Sequence, residues 1–255
     1  MKNDVLYMEA VSVSFDGFKA LNNVNLFIKQ RELRFLIGPN GAGKTTLLDV
    51  ICGKTKPDMG RVFYNEEFDL LRMKPSKICK AGISRKFQAP SVFGSLTVEE
   101  NLRLSIPKNR ELFSSFFDNQ KGSIETVDEV LETVGLTEKR NWLASQLAHG
   151  EKQWLEIGLT IIQKPKLLLV DEPVAGMTGG ERDKTGILLT KIAKDCSVIV
   201  VEHDMKFVER FSSTVTVLHE GRVISDGSYE KVKKDPYVID VYLGRDGGKH
   251  ESAAS

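Results

Sequence analysis

Three features of the sequence predict an α/β fold built on a parallel sheet. The apolar run LRFLI (33–37) passes directly into a glycine-rich loop and then into helix-forming residues. Two more short apolar runs, LLLVDE (167–172) and VIVVEHD (198–204), are each followed by helix-forming sequence. Strand, loop and helix repeating in that order is the pattern of a parallel sheet covered on both faces.

Taken in order, VLYMEAVSVSF and NNVNLFIKQRELRFLI alternate apolar with polar residues and are separated by the turn-prone DGF. They read as strands of an antiparallel sheet. From about Pro90 to Gln163 the strand signal gives way to helical periods in LTVEENLRLSI, IETVDEVLETVGL and KQWLEIGLTIIQ, which predicts a helical sub-domain inserted into the sheet domain. After His203, TVTVLHEG and RVISDGS read as strands and EKVKKDPYVIDVYLG as a helix. The closing DGGKHESAAS reads as disordered.

Composition narrows the functional classes. The chain has 255 residues, 41% hydrophobic and 28% charged, enough for one compact domain with a sub-domain. Its 36 basic and 35 acidic residues nearly cancel, so bulk charge points to no nucleic-acid or anionic-membrane partner. Cys52, Cys79 and Cys196 are odd in number and widely spaced, as suits a reduced compartment. No run approaches the roughly 20 apolar residues that span a bilayer, so any membrane connection is expected to come through another protein.

Gly38-Pro39-Asn40-Gly41-Ala42-Gly43-Lys44-Thr45 fits G-x-x-x-x-G-K-[ST] between a predicted strand and a helix predicted from Thr46 to Ile51. Glycines there let backbone N–H groups wrap phosphates, with the helix N-terminus adding its partial charge. Lys44 is placed to bridge β- and γ-phosphates, and Thr45 to give its hydroxyl to Mg²⁺. The run 167–172 ends in Asp171 and Glu172 at the carboxyl end of a strand, where open α/β sheets bind ligands. Asp171 can hold Mg²⁺ through water, and Glu172 can orient and deprotonate an attacking water. The next such strand ends in Glu202-His203, and His203 can hydrogen-bond a γ-phosphate or serve the fold alone.

Together these segments resemble the ABC transporter ATPase family, a P-loop NTPase fold, from about Leu6 to Gly244. The resemblance implies one cassette domain over residues 1–246, with its helical sub-domain at about 90–163 and a tail at 247–255. It implies ATP and Mg²⁺ as ligands, with the phosphate loop at Gly38 to Thr46. Lys44, Glu172 and His203 fall on its catalytic positions and Thr45, Gln88 and Asp171 on its metal-binding ones. Its adenine-stacking aromatic falls on Phe15, for which a place in the hydrophobic core is the competing reading. The absence of an N-K-x-D motif leans toward ATP over GTP.

The family's signature, usually L-S-G-G-Q, stands here as Leu147-Ala148-His149-Gly150-Glu151. In the family this segment caps the ATP held by the opposite subunit. Ala148 lacks the serine hydroxyl, a contact worth about 1.5–3 kcal/mol where it is made to a charged group. Backbone N–H groups near Gly150 can still serve. The run LAHGEKQWLEIG, with His149 and Trp154, is similar to the urea-uptake branch; the ending DPYVIDVYLG is shared by the wider set of importers for branched-chain and other hydrophobic amino acids. The resemblance therefore implies urea as the cargo, with branched-chain amino acids as the alternative. The resemblance further implies a second cassette subunit, two membrane permease subunits docking near Gln88, and indirectly a substrate-binding protein, at the cytoplasmic face of the membrane and without nucleic acid. Two rivals are a soluble ABC ATPase, disfavoured by the lone signature and even charge, and a non-catalytic partner cassette, disfavoured by the full set Glu172 and His203.

Overall fold

The structure, a computed structural model, describes residues 4–86, 92–106 and 126–243. A long hairpin opens the chain: β1 (Asp4–Phe15) and β2 (Phe18–Lys29) turn at Asp16-Gly17, both with positive φ, 48° and 85°. Two left-handed residues make the twist of such a turn match that of the strands. The chain then enters β3 (Leu33–Ile37), α1 (Lys44–Ile51), β4 (Met59–Tyr64), β5 (Phe68–Asp69), α2 (Pro75–Lys80) and β6 (Ile83–Lys86). Helices α3 (Val98–Leu104), α4 (Val127–Val134) and α5 (His149–Ile161) lie between β6 and β7 (Leu167–Asp171). There follow α6 (Gly179–Ile192), β8 (Ser197–Val201), α7 (Met205–Phe211), β9 (Thr214–His219), β10 (Arg222–Gly227), α8 (Tyr229–Val232) and α9 (Pro236–Leu243).

Among the described residues these strands form two sheets, an antiparallel one ordered β2-β1-β4-β5 and a mixed one ordered β10-β9-β3-β8-β7-β6. The pairs β9/β3, β3/β8, β8/β7 and β7/β6 are parallel, and only the edge pair β10/β9 is antiparallel. LRFLI therefore leaves the antiparallel run that precedes it. All five of its residues are buried, as a central parallel strand requires and an alternating surface strand does not allow.

The pleat of the central strands divides the molecule into two cores. Phe35, Ile37, Leu168, Val170, Val198 and Val200 join α4, α5 and α6 on one face, while Leu36, Leu167, Leu169, Ile199 and Val201 join α1 and the antiparallel sheet on the other. Successive strand residues point to opposite faces, so one short run of five serves both cores.

Helix ends follow the sequence chemistry closely. Thr97 with Glu100, Thr126 with Glu129 and Thr178 with Glu181 each close a capping box, in which side chain and backbone satisfy each other's unpaired donors. The single helix expected over EKVKKDPYVIDVYLG is instead broken into α8 and α9. Pro236 has no N–H to continue a helix, and Asp235 accepts from the Tyr237 backbone N–H at 3.0 Å to start a new one. The expected tail, 247–255, lies outside the described residues.

Candidate active site

Because β3, β8 and β7 are adjacent and parallel, their carboxyl ends share one edge. That edge carries the Gly38–Thr46 loop, the pair Asp171-Glu172 and the pair Glu202-His203. Gly43 sits at φ 101°, and a Cβ placed on it would lie 2.4 Å from the Ala20 carbonyl oxygen, so backbone geometry and space both demand glycine. Gly41, at φ 79°, has nothing within 4 Å of where a Cβ would stand, leaving its backbone open to a ligand. Helix α1 begins two residues earlier than Thr46, at Lys44, with no side chain capping its first amides. Those N–H groups are the donors a phosphate would use.

Lys44 is half-buried and donates from Nζ to the carbonyls of Gly38 at 2.6 Å and Pro39 at 2.9 Å. Burial lowers its pKa, opposed by the charges of Glu172 and Asp171. The same loop thus brings Lys44 into the field of both acids. Thr45 and Asn40 are exposed on the loop, Pro39 and Thr46 partly so, and Ala42 is buried against the antiparallel sheet.

Asp171 is buried and held by Nη2 of Arg85 at 3.1 Å, whose Nη1 reaches Asp49 of α1 at 2.5 Å. Glu172 follows in a left-handed conformation, φ 48°, and its N–H donates to Val201 at 2.9 Å. Such a conformation costs a non-glycine residue on the order of 1 kcal/mol and turns the side chain off the strand direction. Nδ1 of His203 stands 3.7 Å from Oε1 of Glu172. Glu202, 1% exposed, accepts backbone N–H groups of Val174, His203 and Asp204. Desolvation by burial raises its pKa, while those N–H bonds pull the other way. Arg85, Asp49 and Glu202 carried no motif in the sequence, yet they fix the positions of Asp171 and of the turn after β8.

The other expected residues lie on other segments. Phe15 is 49% exposed, beside Phe18 at the hairpin turn, so it is no core residue. Gln88 lies outside the described residues. Ala148 to Glu151 start α5, and their bonds run to Lys139, Ala175 and Gln153. A Cβ on Gly150 would meet the Glu181 carboxylate at 2.5 Å. Ala148 occupies the N-cap with no acceptor to offer, although Glu151 still returns to the Ala148 N–H at 3.1 Å. His149 contacts the Ala175 carbonyl at 3.2 Å, and the buried Trp154 donates to Thr185 at 2.8 Å. The two residues that point the sequence toward urea uptake are both engaged within the chain.

A protein-family profile described as ABC transporter matches residues 21–175, which is more than half of the chain. The chain belongs to the ABC transporter ATP-binding family. It is an ATPase cassette of that family, and a second profile, Branched-chain amino acid ATP-binding cassette transporter, matches residues 222–248. Relatives include the High-affinity branched-chain amino acid transport ATP-binding protein LivG of Escherichia coli (strain K12), 33% identical over 254 residues, covering 96% of this chain and 99% of that protein. BraF of Pseudomonas aeruginosa, of the same printed description, is 32% identical over 256 residues with the same coverage. A crystal structure of the ADP conformation of an ATP-binding cassette of an ABC transporter superposes with a TM-score of 0.80 at 28% identity, covering 94% of this chain and 99% of that one. A dimeric post-hydrolysis cassette bound to ADP and Pi superposes at 0.70 and 25% identity, covering 88% and 98%.

The cassette's donor set suits a nucleotide with a divalent cation. Among the described residues no three His, Cys, Asp or Glu side chains gather to hold a metal by themselves. Mg²⁺ characteristically takes one or two protein oxygens and completes its shell with phosphate and water, which is what Thr45 and Asp171 beside the loop can provide. No helix among the described residues is long and apolar enough to cross a membrane.

Proposed function

We propose that this chain is the ATP-binding and ATP-hydrolysing subunit of an importer for branched-chain amino acids. The observation that carries the reading is the match to branched-chain amino acid transport ATP-binding proteins over 96% of the chain, continued by the profile over its C-terminal segment. These favour amino acids over the urea cargo that His149 and Trp154 suggest.

In this reading the Gly38–Thr46 backbone and Lys44 bind the phosphates, and Phe15, exposed at the hairpin, stacks on adenine. Thr45 and Asp171, with Gln88, would hold Mg²⁺, which would supply positive charge against the phosphates when bound. Glu172 orients the attacking water and takes its proton. His203, 3.7 Å from Glu172, donates a hydrogen bond to the γ-phosphate. Ala148 to Glu151 face the nucleotide of a second cassette, a copy or a relative. ATP gains its contacts to the second cassette only in the closed pair, so its binding shifts the population toward closure and hydrolysis resets it. Two permease subunits, served by a substrate-binding protein, would hold the pair at the cytoplasmic face of the membrane and convert closure into transport.

The test is uptake of labelled leucine and labelled urea by cells lacking this chain, complemented with wild type or Lys44→Ala. Loss of leucine uptake, restored by wild type alone, is expected. Loss of urea uptake alone would replace the cargo, and loss of neither would remove the transport reading.

A further inference from the structure

At the end of β6, Lys86 is buried, with its Nζ 3.3 Å from Oε2 of Glu156 and 3.4 Å from Oε1 of Gln153, both on α5. The other end of the same Gln153 amide points away: its Nε2 lies 3.3 Å from the Ala175 carbonyl and 2.9 Å from Nε2 of His149. The same His149 Nε2 lies 3.2 Å from that carbonyl, but a ring nitrogen that accepts from Gln153 has no proton to donate there, so the Gln153 NH₂ is the donor to the Ala175 oxygen. Ala175 belongs to the turn leaving Glu172, and its N–H donates back to the Glu172 carbonyl at 3.3 Å. A Cβ on Gly176 would come 3.3 Å from the His149 ring, so the turn is also in tight contact with α5.

An amide has one acceptor end and one donor end. Lys86, a donor only, and the Ala175 carbonyl, an acceptor only, select the same orientation of the Gln153 amide, so Lys86 holds from behind the end that serves the turn. A buried ammonium is costly unless it is paired, and here the pairing also orients a neighbour. One polar chain therefore joins the strand end that leads to Gln88, the first turns of α5 behind Ala148, and the turn behind Glu172.

Resting on the site reading above, we propose that Lys86 is a positioning residue for ATP hydrolysis, acting through Gln153 to hold the turn after Glu172 against the start of α5. It touches no nucleotide in this account. It makes the position of Glu172 depend on that of the Ala148–Glu151 segment within one chain.

The test compares Gln153→Glu and Lys86→Met with wild type in the assembled transporter. Gln153→Glu keeps the pairing with Lys86 but loses the NH₂ that serves Ala175. It is expected to lower kcat about tenfold, with the KM for ATP within twofold and the thermal midpoint unchanged, and to speed amide exchange at Ala175–Met177. Lys86→Met is expected to match its fall in kcat, with a lower thermal midpoint because Glu156 loses a buried partner, and the double variant to have a kcat no lower than either. If Lys86→Met does not fold, Gln153→Glu alone decides. An unchanged kcat for Gln153→Glu, or a loss confined to thermal stability, would overturn the role. Glu172→Gln is run alongside; full turnover by that variant would instead remove the site reading itself.

Discussion

Nη2 of Arg85, on β6, donates to Oδ2 of Asp171, on β7, across 3.1 Å. Through Asp49 the same guanidinium also grips α1, the helix that follows the phosphate loop. Arg85 thereby ties the loop's helix to the strand end that would hold the metal. Removing one member of a buried ion pair leaves charges without compensation and costs about 3 kcal/mol or more. Arg85→Leu should lower the free energy of unfolding in urea by about that much; unchanged stability would show that the two carboxylates find other partners.

Ala148 leaves α5 with half a capping box, where α3, α4 and α6 have whole ones. Ala148→Ser should stabilise the protein by about 1 kcal/mol, since an N-cap hydroxyl satisfies the amide three residues on. In the proposed closed pair it should also raise ATP affinity or turnover. Thermal unfolding and ATPase assays separate the two effects, and a change in neither would make the hydroxyl irrelevant.

Glu202 gives the stability of the fold a pH dependence. Burial raises its folded pKa above the ordinary 4.5, so the folded state keeps this proton where the unfolded chain has lost it. The group's stabilising contribution is complete below about pH 4.5 and is lost as pH rises through the raised folded value. Glu202→Gln does not titrate there. The stability of wild type relative to that variant should fall as pH rises above 4.5, and a flat difference would show that the three N–H bonds cancel the burial.

Trp154 serves packing in this structure, with its indole N–H on Thr185. Trp154→Phe should cost about 1 kcal/mol from the lost hydrogen bond and leave the ratio of leucine to urea uptake unchanged. A changed ratio would restore Trp154 as a marker of cargo.

The α/β fold could be read from the sequence where period and punctuation agreed. LRFLI, LLLVDE and VIVVEHD announced buried parallel strands, and glycine with lysine at 43 and 44 announced the loop between strand and helix. What could not be read was long-range or locally ambiguous. Strand β6 is four residues holding an arginine and a lysine, Arg85 and Lys86, whose partners are 36, 86 and 70 positions away; no local period marks such a strand. LRFLI continued an alternating pattern across Arg31 and Glu32, and only full burial separated it from the antiparallel sheet. Pro236 broke a helical period that extended through it. His149 and Trp154 looked like cargo markers because a sequence shows which residues are unusual, and the contacts that make them useful appear only after folding.

In the proposed function, Glu172 carries hydrolysis of ATP held on this chain's own loop. Single-turnover hydrolysis of labelled ATP by the assembled complex, wild type against Glu172→Gln, tests it most directly. The variant should bind ATP as tightly as wild type, accumulate as a closed pair and hydrolyse at least about a hundredfold more slowly, the scale of a lost general base. Hydrolysis within a few-fold of wild type would contradict it and move the catalytic role away from Glu172.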